Sequence, residues 1–299
     1  MGVGLDLPPM ATIRDIRNQM KAVGNISRIT RTMQMIATSK FAKAQQRTVA
    51  SQPFSKTLFD LVAELAGAGD QFDHAILSGD NGAGDDAPDV TLVVTSDRGL
   101  CGAYNGQILR TANAYFAARG NDKGRLEVVG KKGAAFFRFT GVELGAHHTQ
   151  FGDNPQYEDV ARLATGYIDE YMAGKVRSVS ICSMHFVSTS RQNAEIMQIL
   201  PFENKKTEGD TAASVLYEFS PGADELLADL LPSAIKALLF QAFLEANLSE
   251  HVSRMIAMKA ATDSAEKMGK ALKRKYNRAR QAQITTELTE IISGAAALE

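Results

Sequence analysis

The chain has 299 residues, of which 44% are apolar and 22% charged, and its formal net charge is −1. This is an ordinary globular composition, long enough for one large or two small domains and unlike a disordered or fibrous chain. The two cysteines, Cys101 and Cys182, have no metal-ligand spacing, and no basic-then-apolar leader opens the sequence, so a reducing cytoplasmic setting is expected.

Residues 1–9 read as a loose tail, stopped by Pro8 and Pro9. Thr12 is the expected N-cap of a first helix, with Asp15 in the capping-box position. Ile13, Ile16, Met20, Val23, Ser27, Thr30, Ala37, Phe41, Ala44 and Thr48 form a three-four stripe. This helix is expected to reach about residue 50 and to bend or restart at Pro53. Residues 54–65 repeat the helical pattern, and Gly67 and Gly69 end it. Residues 78–88 form a loop rich in Gly, Asp and Asn.

The strongest strand is 89–95, followed by a glycine turn at 96–102 and a helix at 104–119. A second strand is expected at 126–129, helices at 131–139 and 159–171, and a long strand at 176–187. Residues 192–200 fit either strand or helix, and 214–219 a short strand. Strands alternating with helices predict a mostly parallel sheet covered by helices.

From residue 224 the chain is mostly Leu, Ala, Met, Glu, Lys and Arg, broken only by Pro232, Gly269 and Gly294. An unbroken helix there would be about 110 Å long. Every 18-residue window in it carries charge, which argues against a bilayer span. Leu227, Leu231, Ala234, Leu238, Ala242, Glu245, Leu248, Val252, Met255, Lys259 and Thr262 are spaced by threes and fours, a coiled-coil seam that Glu245, Lys259 and Thr262 interrupt. Met268, Leu272, Tyr276 and Ala279 continue the face, and Ile284, Leu288 and Ile291 end it. The expected fold is α/β, with long N- and C-terminal helices in an antiparallel coiled coil and an inserted Rossmann-like α/β domain. The divisions fall at 11–65, 66–222 and 223–299. The C-terminal helix outruns its partner by roughly half its length, so a second protein is expected to cover the rest.

Asp97-Arg98-Gly99-Leu100-Cys101-Gly102 sits where a Rossmann-type domain puts phosphate-binding glycines. The spacing is not G-x-G-x-x-G and no G-K-[ST] follows, so a structural or docking turn is preferred over nucleotide binding. A nucleotide-binding α/β enzyme with helical extensions is the alternative reading, and it lacks a phosphate loop and a base. Cys101 has no C-x-x-C partner, and His147-His148 has no further ligand at metal spacing. Glu195 and Asp169 have no legible catalytic partner.

The charge is unevenly spread. Residues 11–48 carry Arg14, Arg17, Lys21, Arg28, Arg31, Lys40, Lys43 and Arg47 against Asp15 alone, and 270–280 carry Lys270, Lys273, Arg274, Lys275, Arg278 and Arg280 with no acid. Phosphate contact, a solvated face and an acidic protein partner all fit this. No nucleic-acid motif is present, and the position on two long helices favours the protein partner.

Four motifs then carry a family resemblance: residues 26–40 (ISRITRTMQMIATSK), 96–105 (SDRGLCGAYN), 254–263 (RMIAMKAATD) and 276–285 (YNRARQAQIT), the last followed by Glu287-Leu288-Thr289-Glu290-Ile291. In this order they span nearly the whole chain, which resembles the gamma subunit of the F-type ATP synthase. Ala103-Tyr104 stands where that family more often has Gly-Phe.

The resemblance implies a non-catalytic rotor shaft without cofactor. It turns inside a hexamer of three alpha and three beta subunits and rests with the epsilon subunit on the membrane c-ring. It binds no nucleic acid and is peripheral to the cytoplasmic side of a bacterial inner membrane. It further implies that Arg278, Arg280, Gln281 and Thr285, with Met33 near them on the opposing helix, meet the beta catch loops. Ile284, Leu288 and Ile291 would lie in an apolar sleeve. Arg98, Gly99, Cys101, Gly102 and Tyr104 would form a structural turn in the foot.

Overall fold

The computed structural model describes residues 12–68, 74–84, 86–119, 124–202 and 223–296. It divides into two compact units, one made of Ala37–Arg254 and the other of Met1–Ile36 with Met255–Glu299. The expected strand at 214–219 lies outside the described residues.

The larger unit is built on a five-stranded sheet. Its strands are β1 (Asp89–Val94), β2 (Arg125–Val129), β3 (Ala146–His148), β4 (Ser178–Phe186) and β5 (Gln192–Leu200), in the order β3-β2-β1-β4-β5. β1, β2, β3 and β4 are parallel, with Val90 opposite Arg125 and Val93 opposite Cys182. β5 runs antiparallel to β4. That resolves the ambiguous 192–200 segment: Val187–Arg191 is too short for a crossover and closes a hairpin through Ser188 and Arg191. β1 is central and buried along its whole length, which is why its sequence is an almost unbroken apolar run.

Successive β1 residues face opposite layers. Val90, Leu92 and Val94 join a cluster with helix α5 (Tyr157–Met172), while Val93 joins one with α3 (Tyr104–Ala118) and α4 (Lys131–Phe139). The short helix α2 (Ala75–Ser78) adds Ile76 to the first cluster.

Both terminal helices also contribute to that first cluster. The N-terminal helix α1 (Ile13–Ala68) adds Leu58, Val62 and Leu65, and the C-terminal helix α6 (Ala223–Ala296) adds Leu227, Leu231, Ala234, Ile235, Leu239, Ala242, Phe243 and Ala246. Each fully buried Leu or Ile here contributes about 1.5–3 kcal/mol. The first part of the long C-terminal helix is therefore a core helix of its own α/β unit, not surplus awaiting another protein. An 18-residue window of α6 does reach a mean hydropathy of 1.5, with 44% of it buried. The two-charge content of such a window did not by itself exclude a span; it is the burial of Leu227, Leu231 and Ile235 in the core that accounts for the apolarity.

α1 is one helix of 56 residues that passes through Pro53. The helix does not restart at Pro53; Pro53 and Val49 are both exposed, so the carbonyl that proline leaves unbonded faces water. Its start is capped as the sequence predicts. The Thr12 amide and hydroxyl donate to Asp15 Oδ2 at 3.1 and 2.7 Å, and the Asp15 amide donates back to Thr12 Oγ1 at 3.3 Å.

In the smaller unit, residues 13–36 of α1 pair with α6 from residue 255 to about residue 280. Thr262 donates to Thr30 Oγ1 at 2.8 Å, Arg31 faces Glu266 at 3.5 Å, and Val23 lies against Gly269. Thr30–Thr262 and Val23–Gly269 step by equal amounts in opposite directions, so the pair is antiparallel. On this register Thr12 is level with Arg280. Residues 281–296 extend beyond it and are exposed throughout, a length of about 24 Å.

Candidate functional site

The turn after β1 is built around two short polar side chains. Asn105 Oδ1 accepts from the Ser96 amide at 3.0 Å, Asn105 Nδ2 reaches Ser96 Oγ at 2.7 Å and Cys101 Sγ at 3.3 Å, and Ser96 Oγ donates to the Arg98 carbonyl at 2.7 Å. Asp97 Oδ1 caps the Lys131 amide at 3.0 Å. The chain reverses through Leu100 at φ 62° and Gly102 at φ 59°. Leu100 thus holds a left-handed conformation that a leucine adopts at a cost.

The geometry decides what this turn binds. The Arg98 and Gly99 carbonyls point at the guanidinium of Arg254 on α6, at 3.2 and 3.4 Å. The same guanidinium donates to Glu250 at 2.6 Å. A phosphate cradle presents N–H groups; this turn presents carbonyl oxygens to a cation. Tyr104, at the start of α3, seals the arrangement by donating to the Ala246 carbonyl at 3.1 Å. Burial, reinforced by Glu250, raises its hydroxyl pKa. Burial also raises the Glu250 pKa against the pull of Arg254.

The cysteines are not poised for chemistry. Both are buried, and burial pushes the Cys182 thiol up to about 12. His147 and His148 alternate on β3, so their rings leave on opposite faces and cannot share a metal. His148 Nε2 instead meets Glu127 at 2.7 Å, beside the Tyr167 hydroxyl at 2.8 Å and Arg125 at 3.0 Å. Burial would raise the Glu127 pKa, but His148, Tyr167 and Arg125 outweigh it and hold the carboxylate below its usual range.

The polar breaks in the α6 seam are not equivalent. Glu245 reaches His185 Nδ1 at 2.5 Å and accepts from the Phe186 amide at 3.4 Å. Thr262 is buried on Thr30, and Lys259 is exposed.

In the smaller unit, Arg278, Arg280, Gln281 and Thr285 are exposed and Met33 is half-buried. Ile284, Leu288 and Ile291 are 49%, 57% and 72% exposed. The register corrects one expectation. Met33 is level with Lys259, which lies about 28 Å along the helix from Arg278. The two are separate stations, because an antiparallel pair that aligns Thr30 with Thr262 cannot also align Met33 with Arg278.

A sequence-family model described as ATP synthase matches residues 12–298. The chain is 40% identical to the ATP synthase gamma chain of Rhodopirellula baltica and 38% to that of Desulfitobacterium hafniense, over 97% of its own length and 100% of theirs. The chain belongs to the ATP synthase gamma-chain family. A gamma chain is a structural rotor subunit of a membrane-associated complex whose catalytic sites lie on other subunits. The fold agrees with gamma-chain architecture. A chain of the Euglena gracilis mitochondrial ATP synthase (OSCP/F1/c-ring, rotational state 3) superposes with a TM-score of 0.66 at 20% identity, over 96% of this chain and 94% of that one. A rotor chain of the same synthase in rotational state 1 gives 0.61 at 19% identity, over 91% and 98%.

The turn of this gamma chain is legible in its sequence, and its anchor is not. In the sequence Arg254 enters only as the first residue of the 254–263 motif, and Glu250 lies outside it. Their i, i+4 spacing was the available signal that the two form a pair.

Proposed function

We propose that this chain is the central shaft of a rotary ATP synthase, coupling ion-driven rotation of a c-ring to conformational change at catalytic sites on surrounding beta subunits. The observation that carries this reading is likeness to gamma chains along the whole chain. One copy stands inside a hexamer of three alpha and three beta subunits. Its foot meets the epsilon subunit and the c-ring, peripheral to the cytoplasmic face of a bacterial inner membrane.

The exposed end of α6 suits that work. Arg278, Arg280, Gln281 and Thr285 offer charge and hydrogen bonds to the beta subunits, and Met33 is a second station lower on the pair. Ile284, Leu288 and Ile291 enter an apolar sleeve. Their burial is favourable without directional bonds that would hold one angle, so the tip turns freely. An asymmetric shaft biases each beta subunit by differential contact, which is what shifts a multistate partner. Arg98, Gly99, Cys101, Gly102 and Tyr104 act as a structural turn.

Reconstitution with alpha and beta subunits, imaged as single particles, tests the reading: one copy of this chain at the centre is expected. Arg278→Ala is expected to lower coupled ATP synthesis while changing stability by less than about 0.5 kcal/mol, since the side chain is exposed. Unchanged synthesis would sink the assignment of Arg278.

A further inference from the structure

The loop between β3 and α5 gathers contacts from elements distant in sequence, all within the larger unit. Asp153 Oδ2 accepts from Lys40 of α1 at 2.6 Å and lies 3.6 Å from Arg98 of the glycine turn. The Asp153 carbonyl accepts from Asn247 of α6 at 3.1 Å. Two residues on, the Pro155 carbonyl accepts from Arg47 of α1 at 3.2 Å. Phe151 is buried with its ring 4.7 Å from that of Phe243 on α6. One short loop therefore holds both long helices and the turn that grips Arg254.

The other contacts that α1 makes with this unit are largely apolar, through residues such as Leu58 and Val62, whereas α6 is held there also by Arg254, Glu245 and the Tyr104 hydroxyl. Apolar contacts resist separation but are non-directional, so they resist sliding or rotation of a helix about its axis less well. Hydrogen bonds fix distance and angle, and those to charged groups are the stronger ones. The Asp153 carboxylate is such a group: the Lys40 hydrogen bond is the main cause that holds its pKa below the usual value, against partial burial.

We infer that Asp153, through Lys40 and Asn247, is a positioning residue for coupling: it locks the two shaft helices in rotational register with the α/β unit, so that torque applied there is carried and not lost to slippage. This rests on the shaft reading above.

The test uses the assembled complex in inverted membrane vesicles, with ATP hydrolysis and ATP-driven proton pumping measured side by side. Pumping by the wild-type complex tests the shaft reading; its absence would sink that reading, whatever the variants do. Asp153→Asn keeps the backbone carbonyl for Asn247 but removes the charge. In Asp153→Asn and Lys40→Gln, hydrolysis is expected to persist while protons pumped per ATP fall by about threefold or more. The double variant should be no worse than either single, and Lys40→Arg should pump as the wild type does. If Asp153→Asn fails to assemble, the contrast between Lys40→Gln and Lys40→Arg decides. Wild-type pumping per ATP in Lys40→Gln, an additive double variant, or a parallel loss of hydrolysis and pumping would each overturn the inference.

Discussion

Arg254→Met isolates the interaction on which the glycine turn depends. Arg254 is 9% exposed and donates to the Arg98 and Gly99 carbonyls and to Glu250 at 3.2, 3.4 and 2.6 Å. The variant strands two carbonyls and a carboxylate whose side chain is 12% exposed. Breaking one side of a buried pair costs about 3–5 kcal/mol. Glu250 can relieve part of this by taking up a proton, since burial already raises its pKa, so the lower end, about 3 kcal/mol, is expected at neutral pH. In a unit spanning Ala37–Arg254 that lowers Tm by about 6–12 °C.

Arg254→Lys keeps the charge beside Glu250 but loses the planar fork that serves both carbonyls, and is expected to cost about 1 kcal/mol. Adding Glu250→Leu to Arg254→Met removes the stranded carboxylate and should recover part of the loss. Thermal scans by calorimetry and near-ultraviolet circular dichroism read the order. Arg254→Met within about 1 kcal/mol of the wild type, or a double variant worse than the single, would refute the reasoning.

The remaining predictions concern buried ionisable groups and one glycine. Glu127 titrates in the folded state below its ordinary value of 4.5, so its stabilisation is present above that pH and is lost as pH falls through the folded value. Glu127→Gln should therefore cost about 2 kcal/mol at pH 7 and progressively less in acid, read from urea midpoints across pH. His251 behaves in the opposite sense. Burial first, then the nearby charges of Arg254 and Lys40, lower its pKa from 6.5 to about 4 against the pull of Asp153. The unfolded chain binds the proton first, so the wild type loses stability as pH falls from 6.5 towards 4, by roughly 3 kcal/mol. Its Nδ1 is buried without a hydrogen-bond partner, so His251→Gln should match the wild type at pH 7 and surpass it near the acid end. Gly130 has φ 91°, and a Cβ there would lie 2.2 Å from the Thr95 carbonyl oxygen. Gly130→Ala is expected to cost about 3 kcal/mol or more, measured by denaturation of the larger unit.

Much of the architecture was legible because it is written at short range. The Thr12–Asp15 cap, the apolar run of β1 and the glycine turn each depend on residues a few positions apart. So did most element positions from 104 to 186. What failed was longer in range. Pro53 reads as a break, yet the helix runs through it to Ala68, with Val49 and Pro53 both exposed. The 192–200 segment alternates too weakly to choose between strand and helix until it is paired with β4. Arg254 and Asp153 lie far from Arg98 and Lys40 in sequence, so no local pattern joins them.

The long terminal helices and their three-four stripes were set by the sequence itself, because helix periodicity and capping are local properties. The tertiary structure decided what each stretch of α6 faces. Its first third is core, its middle is paired with α1 through Thr262 and Gly269, and its last turns stand exposed from Gln281 to Ala296. A hydrophobic stripe states that a face must be covered; it does not state by what. That depends on which surfaces the rest of the chain brings alongside, and here a sheet and an antiparallel helix cover the face in turn and leave the apolar-tipped end from Gln281 free.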